Sequence, residues 1–297
     1  MIYLTIITPT YNREETLKKL YISLCNQTSK MFKWIIVDDG STDNSQLIAD
    51  KFIKDNFFEI LYHKRKNSGK HKSINWALQF IDTELVFIVD SDDYLLEDAV
   101  EIILNDWSEH KKSKIVSLQY LKAESNGILI GNEFKVNYEI TTHVKSRLFD
   151  KVKGDKAEIW KTEILRDNKF IEFENEKFLS EQYSYFQISG SEKVLTINKI
   201  IYFSEYRTDG LSNKIRYLQF TNPNGAIENA IITAIYTKSL VVRLKQFLMI
   251  TALSFRKTTK SLIVNIKRAK YNLIWLSIIP LSILFYYYLK HLYQKNI

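Results

Sequence analysis

Apolar residues along the first hundred positions fall into two kinds of pattern. Short β-rich runs at Tyr3–Thr8, Trp34–Val37, Glu59–Tyr62 and Leu85–Val89 read as strands. The segments between them, at about Glu14–Leu24, Ser45–Lys54, Ser73–Phe80 and Glu97–Glu109, carry helical spacing. This β-α-β-α order predicts an α/β fold, with a mainly parallel sheet flanked by helices and a ligand crevice outside the carboxyl ends of the strands. Beyond about residue 112 the pattern is mixed. Ile115–Leu121, Ile128–Ile130 and Ile197–Ser204 resemble strands and Val144–Phe149 a short helix, with no internal repeat or low-complexity linker.

Charge divides the chain more sharply than hydropathy does. Residues 1–228 hold 31 Lys+Arg against 34 Asp+Glu, whereas residues 229–297 hold 11 Lys+Arg and no acidic residue, so the net charge of +8 resides in the tail. Nucleic acid is one partner for such a segment, but its long apolar runs favour an anionic membrane surface. Tyr271–Leu289 is 19 residues without a charge, and as a helix it would reach roughly 28 Å, close to the hydrocarbon thickness of a bilayer. A single span fits this length. Pro280, the polar Asn272, Ser277 and Ser282, and Tyr286-Tyr287-Tyr288 fit an interfacial or re-entrant helix equally well.

At 297 residues and 45% hydrophobic content, the chain can bury a sizeable core. Its one cysteine, Cys25, excludes an intrachain disulfide and a Cys-rich zinc site, which fits a reducing compartment. Met1–Ile7 lacks a basic leader and runs into Pro9, so it reads as a first strand and not a signal peptide. The expectation is a cytoplasmic protein in which the sequon Asn26-Gln27-Thr28 stays unmodified.

The candidate chemistry lies where strands end. Asp90-Ser91-Asp92-Asp93 follows the run Leu85–Val89, and because alternate strand residues share a side, Asp90 and Asp92 can offer oxygens to one hard divalent cation that grips a diphosphate. Acidic residues in such turns also serve as caps or solvated charges. Asp38-Asp39-Gly40-Ser41-Thr42-Asp43 follows Trp34–Val37. Gly40 through Asp43 suit a plain turn and cap, while the leading acids face the crevice, where a base N–H or ribose hydroxyls can bind. Lys66-Asn67-Ser68-Gly69-Lys70-His71-Lys72 precedes a helical run and suits phosphate or a solvated basic turn; it is not a Walker A loop, and His71 reads as a surface histidine. Glu174, Glu176 and Glu181 read locally as solvated helix charges, or one of them as a general base. Glu205–Ser212 offers a Gly-containing turn that closes over a ligand or is simply structural.

The order of Thr8-Pro9-Thr10-Tyr11-Asn12-Arg13, Val37–Asp43, Asn67-x-Gly69-Lys70 and Asp90–Asp93 resembles family 2 glycosyltransferases of the GT-A fold. Gly154-Asp155-Lys156-Ala157-Glu158, Glu176–Glu181 and Asp209-Gly210-Leu211-Ser212 resemble a bacterial branch that builds surface polysaccharides. The likeness covers roughly residues 3–225. Together with the change of charge near residue 228, it gives a catalytic domain over 1–228, with a nucleotide-sugar half (1–112) and an acceptor half (113–228), followed by a basic, apolar, membrane-associating helical tail over 229–297 that is also similar in kind. It further implies that Pro9, Tyr11, Arg13, Asp38, Asp39, Asn67, Gly69, Lys70, Asp90 and Ser91 bind the nucleotide-sugar. By the same likeness Asp92 holds Mn2+ or Mg2+, Glu181 is the catalytic base, and Arg207, Asp209 and Ser212 meet the acceptor or diphosphate. Gln182 stands where many relatives carry a second acid.

The function expected is therefore inverting transfer of a sugar from a nucleotide-diphospho-sugar to a lipid-linked or growing cell-surface polysaccharide, at the cytoplasmic face of the membrane. A sugar nucleotidyltransferase is the enzymatic alternative, although Thr8–Asn12 is not the Gly-rich, basic loop such enzymes place after the first strand. A noncatalytic membrane scaffold that binds glycan or nucleotide-sugar is the other.

Overall fold

A computed structural model describes residues 3–188, 190, 192–205, 214–255 and 259–294. The chain forms two compact units, Met1–Lys169 with Ile188–Tyr206, and Phe170–Gln187 with Arg207–Ile297.

The first unit opens with the expected alternation: β1 (Leu4–Thr10), α1 (Glu14–Cys25), β2 (Phe32–Asp38), α2 (Ser45–Asp55), β3 (Ile60–Lys64), α3 (Lys70–Ala77) and β4 (Leu85–Ile88). β1 pairs in parallel with β2 and β4, and β2 with β3. Every residue of β1 and β2 is buried, as expected of parallel strands covered on both faces. α1 buries Leu17, Leu20, Tyr21 and Leu24, a helical stripe, against this layer. There Tyr21 stacks on Phe52 of α2 with ring centroids 3.8 Å apart.

The second half of the sheet adds β5 (Tyr94–Leu95), then α4 (Ala99–His110), β6 (Ile115–Glu124), β7 (Glu139–Thr141), β8 (Lys156–Lys161), α5 (Thr162–Asp167) and, after α6 (Gln182–Ile188), β9 (Lys193–Ser204). The nine strands run β3-β2-β1-β4-β8-β6-β9-β5, with β7 on β9. β8 is antiparallel to both β4 and β6, so the sheet becomes mixed here.

Several local expectations are corrected. Ile128–Ile130 forms no strand and makes only a bridge through Leu129 to Ala123, because the chain has just reversed at Gly127, whose φ is 85°. Val144–Phe149 is helical as expected, but in the wider π form over Lys145–Phe149. α3 begins three residues early, at Lys70. β8 was not expected because Lys156 and Glu158 interrupt its apolar run, yet both are buried.

In the second unit α7 (Ile215–Thr221), α8 (Pro223–Tyr236), α9 (Leu240–Ser254), α10 (Thr259–Arg268) and α11 (Ile279–Gln294) surround a core that includes Phe220, Ile227, Ile231, Phe247, Ile250, Leu253, Ile266 and Tyr271. The possible single span over Tyr271–Leu289 is not supported. That stretch divides into a 3₁₀ segment, Leu273–Ile278, and α11, with Tyr271 and Leu289 buried in the unit's own core. Pro280 explains the division, since a proline is tolerated in a helix's first turn and not in its interior. Among the described residues no helix is long and apolar enough to cross a membrane.

Candidate active site

Four loops at the carboxyl ends of β1, β2, β3 and β4 build the site. Two of them cap one another's helices. Asn12, at a left-handed φ of 51°, donates its N–H to Ser41 Oγ (2.9 Å) and accepts the Thr42 N–H on Oδ1 (2.8 Å). The Glu14 N–H donates to Asp43 Oδ2 (3.1 Å), while Glu14 Oε2 accepts the Asn44 N–H (2.8 Å). The unpaired N–H groups that begin α1 and α2 are thus satisfied across the two loops, which fixes their spacing. Burial opposes ionisation of Asp43, but the bonds it accepts from Ser45 outweigh that and hold its carboxyl below the usual range. Pro9 is buried in β1 opposite Val37, whereas Tyr11 just beyond it is 47% exposed.

Asp38 and Asp39 lie beneath this frame. Asp38 is fully buried and accepts the Ser41 N–H (2.6 Å) and the Tyr62 hydroxyl (2.5 Å). Burial, and then the bond to Asp38, push the Tyr62 hydroxyl well up. Asp39 Oδ1 accepts the Ser68 N–H (3.0 Å), Ser68 Oγ (3.2 Å) and Ser73 Oγ (3.0 Å), and Oδ2 the Gly69 N–H (2.8 Å). Asp39 therefore secures the basic loop that leads into α3, where Gly69 has a φ of 106°. Close packing of the two loops also demands Gly40, because a Cβ there would stand 2.9 Å from the Asn67 nitrogen. His71, expected at the surface, is 2% exposed on the inner side of α3.

The Asp90–Asp93 loop is held differently. Lys70 Nζ lies 2.5 Å from Asp90 Oδ1, and Arg13 Nε 4.0 Å from Asp92 Oδ2. Asp93 turns inward: Oδ2 accepts the Tyr202 hydroxyl (2.6 Å) and Ser204 Oγ (3.2 Å), and Oδ1 the Glu205 N–H (3.1 Å). The same Tyr202 oxygen accepts the Asp90 N–H (3.1 Å). Ser91 is buried between them. Burial works against ionisation of Asp90, but the cations of Lys70 and Lys122 overcome it and hold its carboxyl down. Burial and then the charge of Asp90 push Asp92 up despite Arg13. Burial and Asp90 likewise raise Asp93 to about 6.

Asp92 and Asp93 feel both burial and the charge of Asp90, and a divalent cation relieves such crowding of carboxylates. Asp92 and Asp90 offer hard carboxylate oxygens that fit Mg2+ or Mn2+. Among the described residues no group of three or more His, Cys, Asp or Glu forms a metal cage. One or two carboxylates completed by substrate phosphate oxygens and water is the arrangement magnesium-type ions favour.

Tyr202 and Lys122 escaped the sequence reading. Lys122 Nζ lies 3.8 Å from the Tyr202 ring centroid. A lysine ending the run Ile115–Leu121 and a tyrosine in β9 carry no local signal, since only strand pairing brings them to the loop.

In the second unit, Glu181 is half-buried immediately before α6, and its carbonyl accepts the Tyr185 N–H (3.2 Å). Glu176 is not a solvated helix charge. It is 5% exposed and accepts the Asn224 N–H (2.7 Å), Asn224 Nδ2 (2.7 Å) and the Gly225 N–H (2.8 Å), which caps α8. Glu174 is exposed. Arg207, Asp209 and Ser212 lie outside the described residues.

The family model described as Glycosyl transferase family 2 matches residues 5–172, more than half of the chain. The chain belongs to glycosyltransferase family 2. Among curated relatives, Glycosyltransferase GlyA of Streptococcus pneumoniae serotype 4 is 34% identical over 125 residues, which are 42% of this chain and 18% of GlyA. The poly(ribitol-phosphate) beta-N-acetylglucosaminyltransferase TarS of Staphylococcus aureus strain Mu50 is 29% identical over 170 residues, 57% of this chain and 29% of TarS. The chain thus spans less than a third of either relative's length. The crystal structure of S. aureus TarS 1–349 in complex with UDP-GlcNAc matches with a TM-score of 0.63 at 21% identity, over 87% of this chain and 74% of that one. At that identity the likeness bears on the fold, and the fold is GT-A.

Proposed function

We propose that this family 2 chain is a metal-dependent, inverting glycosyltransferase that moves a sugar from a nucleotide-diphospho-sugar to a lipid-linked or growing cell-surface polysaccharide. The observation that carries this reading is the partly exposed Asp90/Asp92 pair, with Lys70 and Arg13 beside it, just after β4 in a family 2 domain. In this reading residues 1–228 are the catalytic part. The exposed ring of Tyr11 meets the base, Asp90 and Ser91 take the ribose side, and Arg13 and Lys70 attract the diphosphate. Pro9, Asp38, Asp39, Asn67 and Gly69 shape the pocket through the loops they hold. A Mn2+ or Mg2+ held by Asp92, with Asp90 beside it, supplies positive charge to the diphosphate when bound.

Glu181 is the base: it takes the acceptor hydroxyl proton as that oxygen bonds to the anomeric carbon and the bond to the diphosphate breaks. Its support is its motif position after Phe178-Leu179-Ser180, together with the commitment of the neighbouring Glu176 to a helix cap. Arg207, Asp209 and Ser212 are assigned to the acceptor or diphosphate. The basic segment 229–297 is assigned to the anionic cytoplasmic membrane surface, where a lipid-linked acceptor resides. The UDP-GlcNAc bound to TarS makes that donor the first to test.

Purified protein, a panel of nucleotide-sugars and Mn2+ should release nucleoside diphosphate. Glu181→Gln should lower transfer on the order of 10²- to 10⁴-fold with donor binding little changed, and Glu174→Gln should not. Pyrophosphate release would indicate a nucleotidyltransferase. A folded protein that binds donor but transfers nothing to any acceptor would be the scaffold.

A further inference from the structure

The outer surface of α11 has the character of a docking face. Most of the helix is apolar, with Lys290, His291 and Gln294 near its end as the exposed polar residues. Its inner side, centred on Ser282, Tyr286, Leu289 and Tyr293, packs into the second unit's core. On the opposite side Leu284 is 67% exposed, Tyr287 60% and Tyr288 53%, at the i, i+3, i+4 spacing of one stripe. Leu281 beside the stripe is exposed as well, and so is Ile274 in the preceding 3₁₀ segment. Water is a poor partner for such a face, and a contiguous apolar stripe on a soluble unit marks an interaction site.

Charge identifies what covers it. No acidic residue occurs from 229 to 297, while Lys267, Lys270 and Lys290 are exposed. A second copy would set one segment without acidic residues against another, with no carboxylate from either to pair Lys290. An anionic bilayer offers both an apolar interior and negative headgroups, and tyrosines prefer the boundary between the two.

Building on the membrane assignment above, we propose that the Leu284/Tyr287/Tyr288 face of α11 is the surface by which the protein lies on anionic lipid, with the helix parallel to the bilayer and not across it. α11 has 16 residues, about 24 Å of helix, and its inner face is already committed to protein, so it enters only to the depth of one side.

The test is sedimentation of the full chain with vesicles of phosphatidylcholine alone and with phosphatidylglycerol added. The wild type should pellet with the mixed vesicles, lose binding as salt rises, and stay in solution with phosphatidylcholine alone. Leu284→Glu with Tyr288→Glu should weaken binding at least about ten-fold. Val241→Glu, at a 63% exposed position of α9, is the control for added negative charge and should weaken it by no more than about three-fold. Circular dichroism should show both variants folded. The proposal is overturned if the wild type ignores anionic vesicles, if it binds phosphatidylcholine equally, or if Val241→Glu does as much harm as the α11 pair. Concentration-dependent dimers abolished by the α11 pair, without vesicle binding, would reassign the face to a second copy and overturn it too. Nucleoside diphosphate release with a water-soluble acceptor reads the catalytic proposal separately, and the α11 pair should leave it unchanged.

Discussion

Two pairs of acids flank β1, one at the end of β2 and one just after β4, and they do opposite things. Asp38 and Asp39 are satisfied by neutral donors: backbone N–H groups, serine hydroxyls and the Tyr62 hydroxyl. Asp90 and Asp92 face Lys70 and Arg13, and Asp92 remains pushed up. The first pair is part of the scaffold, since removing a buried carboxylate strands several donors. The second pair sits among cations and its two carboxylates press on one another, which in the proposed reading is what suits it to a cation and a diphosphate. Asp93, one residue beyond Asp92, belongs with the scaffold despite its place in the acidic run.

Substitutions should separate the pairs. The largest effect is expected at Asp92: Asp92→Asn should lower turnover on the order of 10³-fold while leaving thermal unfolding unchanged or slightly higher, because a strained charge is removed. Chelation of the wild type should do the same to turnover, and full activity of a folded Asp92→Asn protein in chelator would erase the distinction. Asp39→Ala should show the converse. Loss of its bonds to Ser68, Gly69 and Ser73 should cost about 3 kcal/mol in a denaturant titration. A stability near wild type with turnover lost would move Asp39 into the binding group.

Lys122 joins the two kinds of role, since its cation acts on Asp90 from a strand that only pairing brings near. Lys122→Met should reduce turnover roughly ten-fold. Lys122→Arg should restore most of it, and an unchanged rate for Lys122→Met would remove Lys122 from the site. The smallest effect concerns His143, a buried titratable group beside Gln119, Glu158 and Arg147. Burial, and then Arg147, hold its imidazole well below 6.5, so it stays neutral in the folded protein. The unfolded chain takes up a proton below pH 6.5 that the folded one does not. This contribution to stability is therefore complete above 6.5 and is lost as pH falls, by at most about 1.4 kcal/mol per pH unit. Unfolding of wild type and His143→Gln, followed from pH 7.5 to 5.5, should converge toward the acid end; parallel curves would contradict it.

Periodicity alone determined the α/β half of the protein from β1 to α4, the two-residue β5 excepted, because parallel strands buried on both faces and helices with one apolar stripe announce themselves within ten residues. It also located the acidic and basic clusters at strand ends and the charge imbalance after residue 228. It missed β8 because Lys156 and Glu158 look exposed until their buried neighbours are known. It left Tyr271–Leu289 open between a span and an interfacial helix, since composition does not reveal that Leu289 and Tyr271 are used up in a local core. Only the tertiary structure decided which acids are held by neutral donors and which face cations. Asp39 is set by Ser68 and Gly69, and Asp90 and Asp93 by Lys122 and Tyr202, more than a hundred residues away in the last case. A carboxylate's role depends on whether its surroundings supply hydrogen bonds, opposite charge or neither, and those surroundings exist only after the strands have paired.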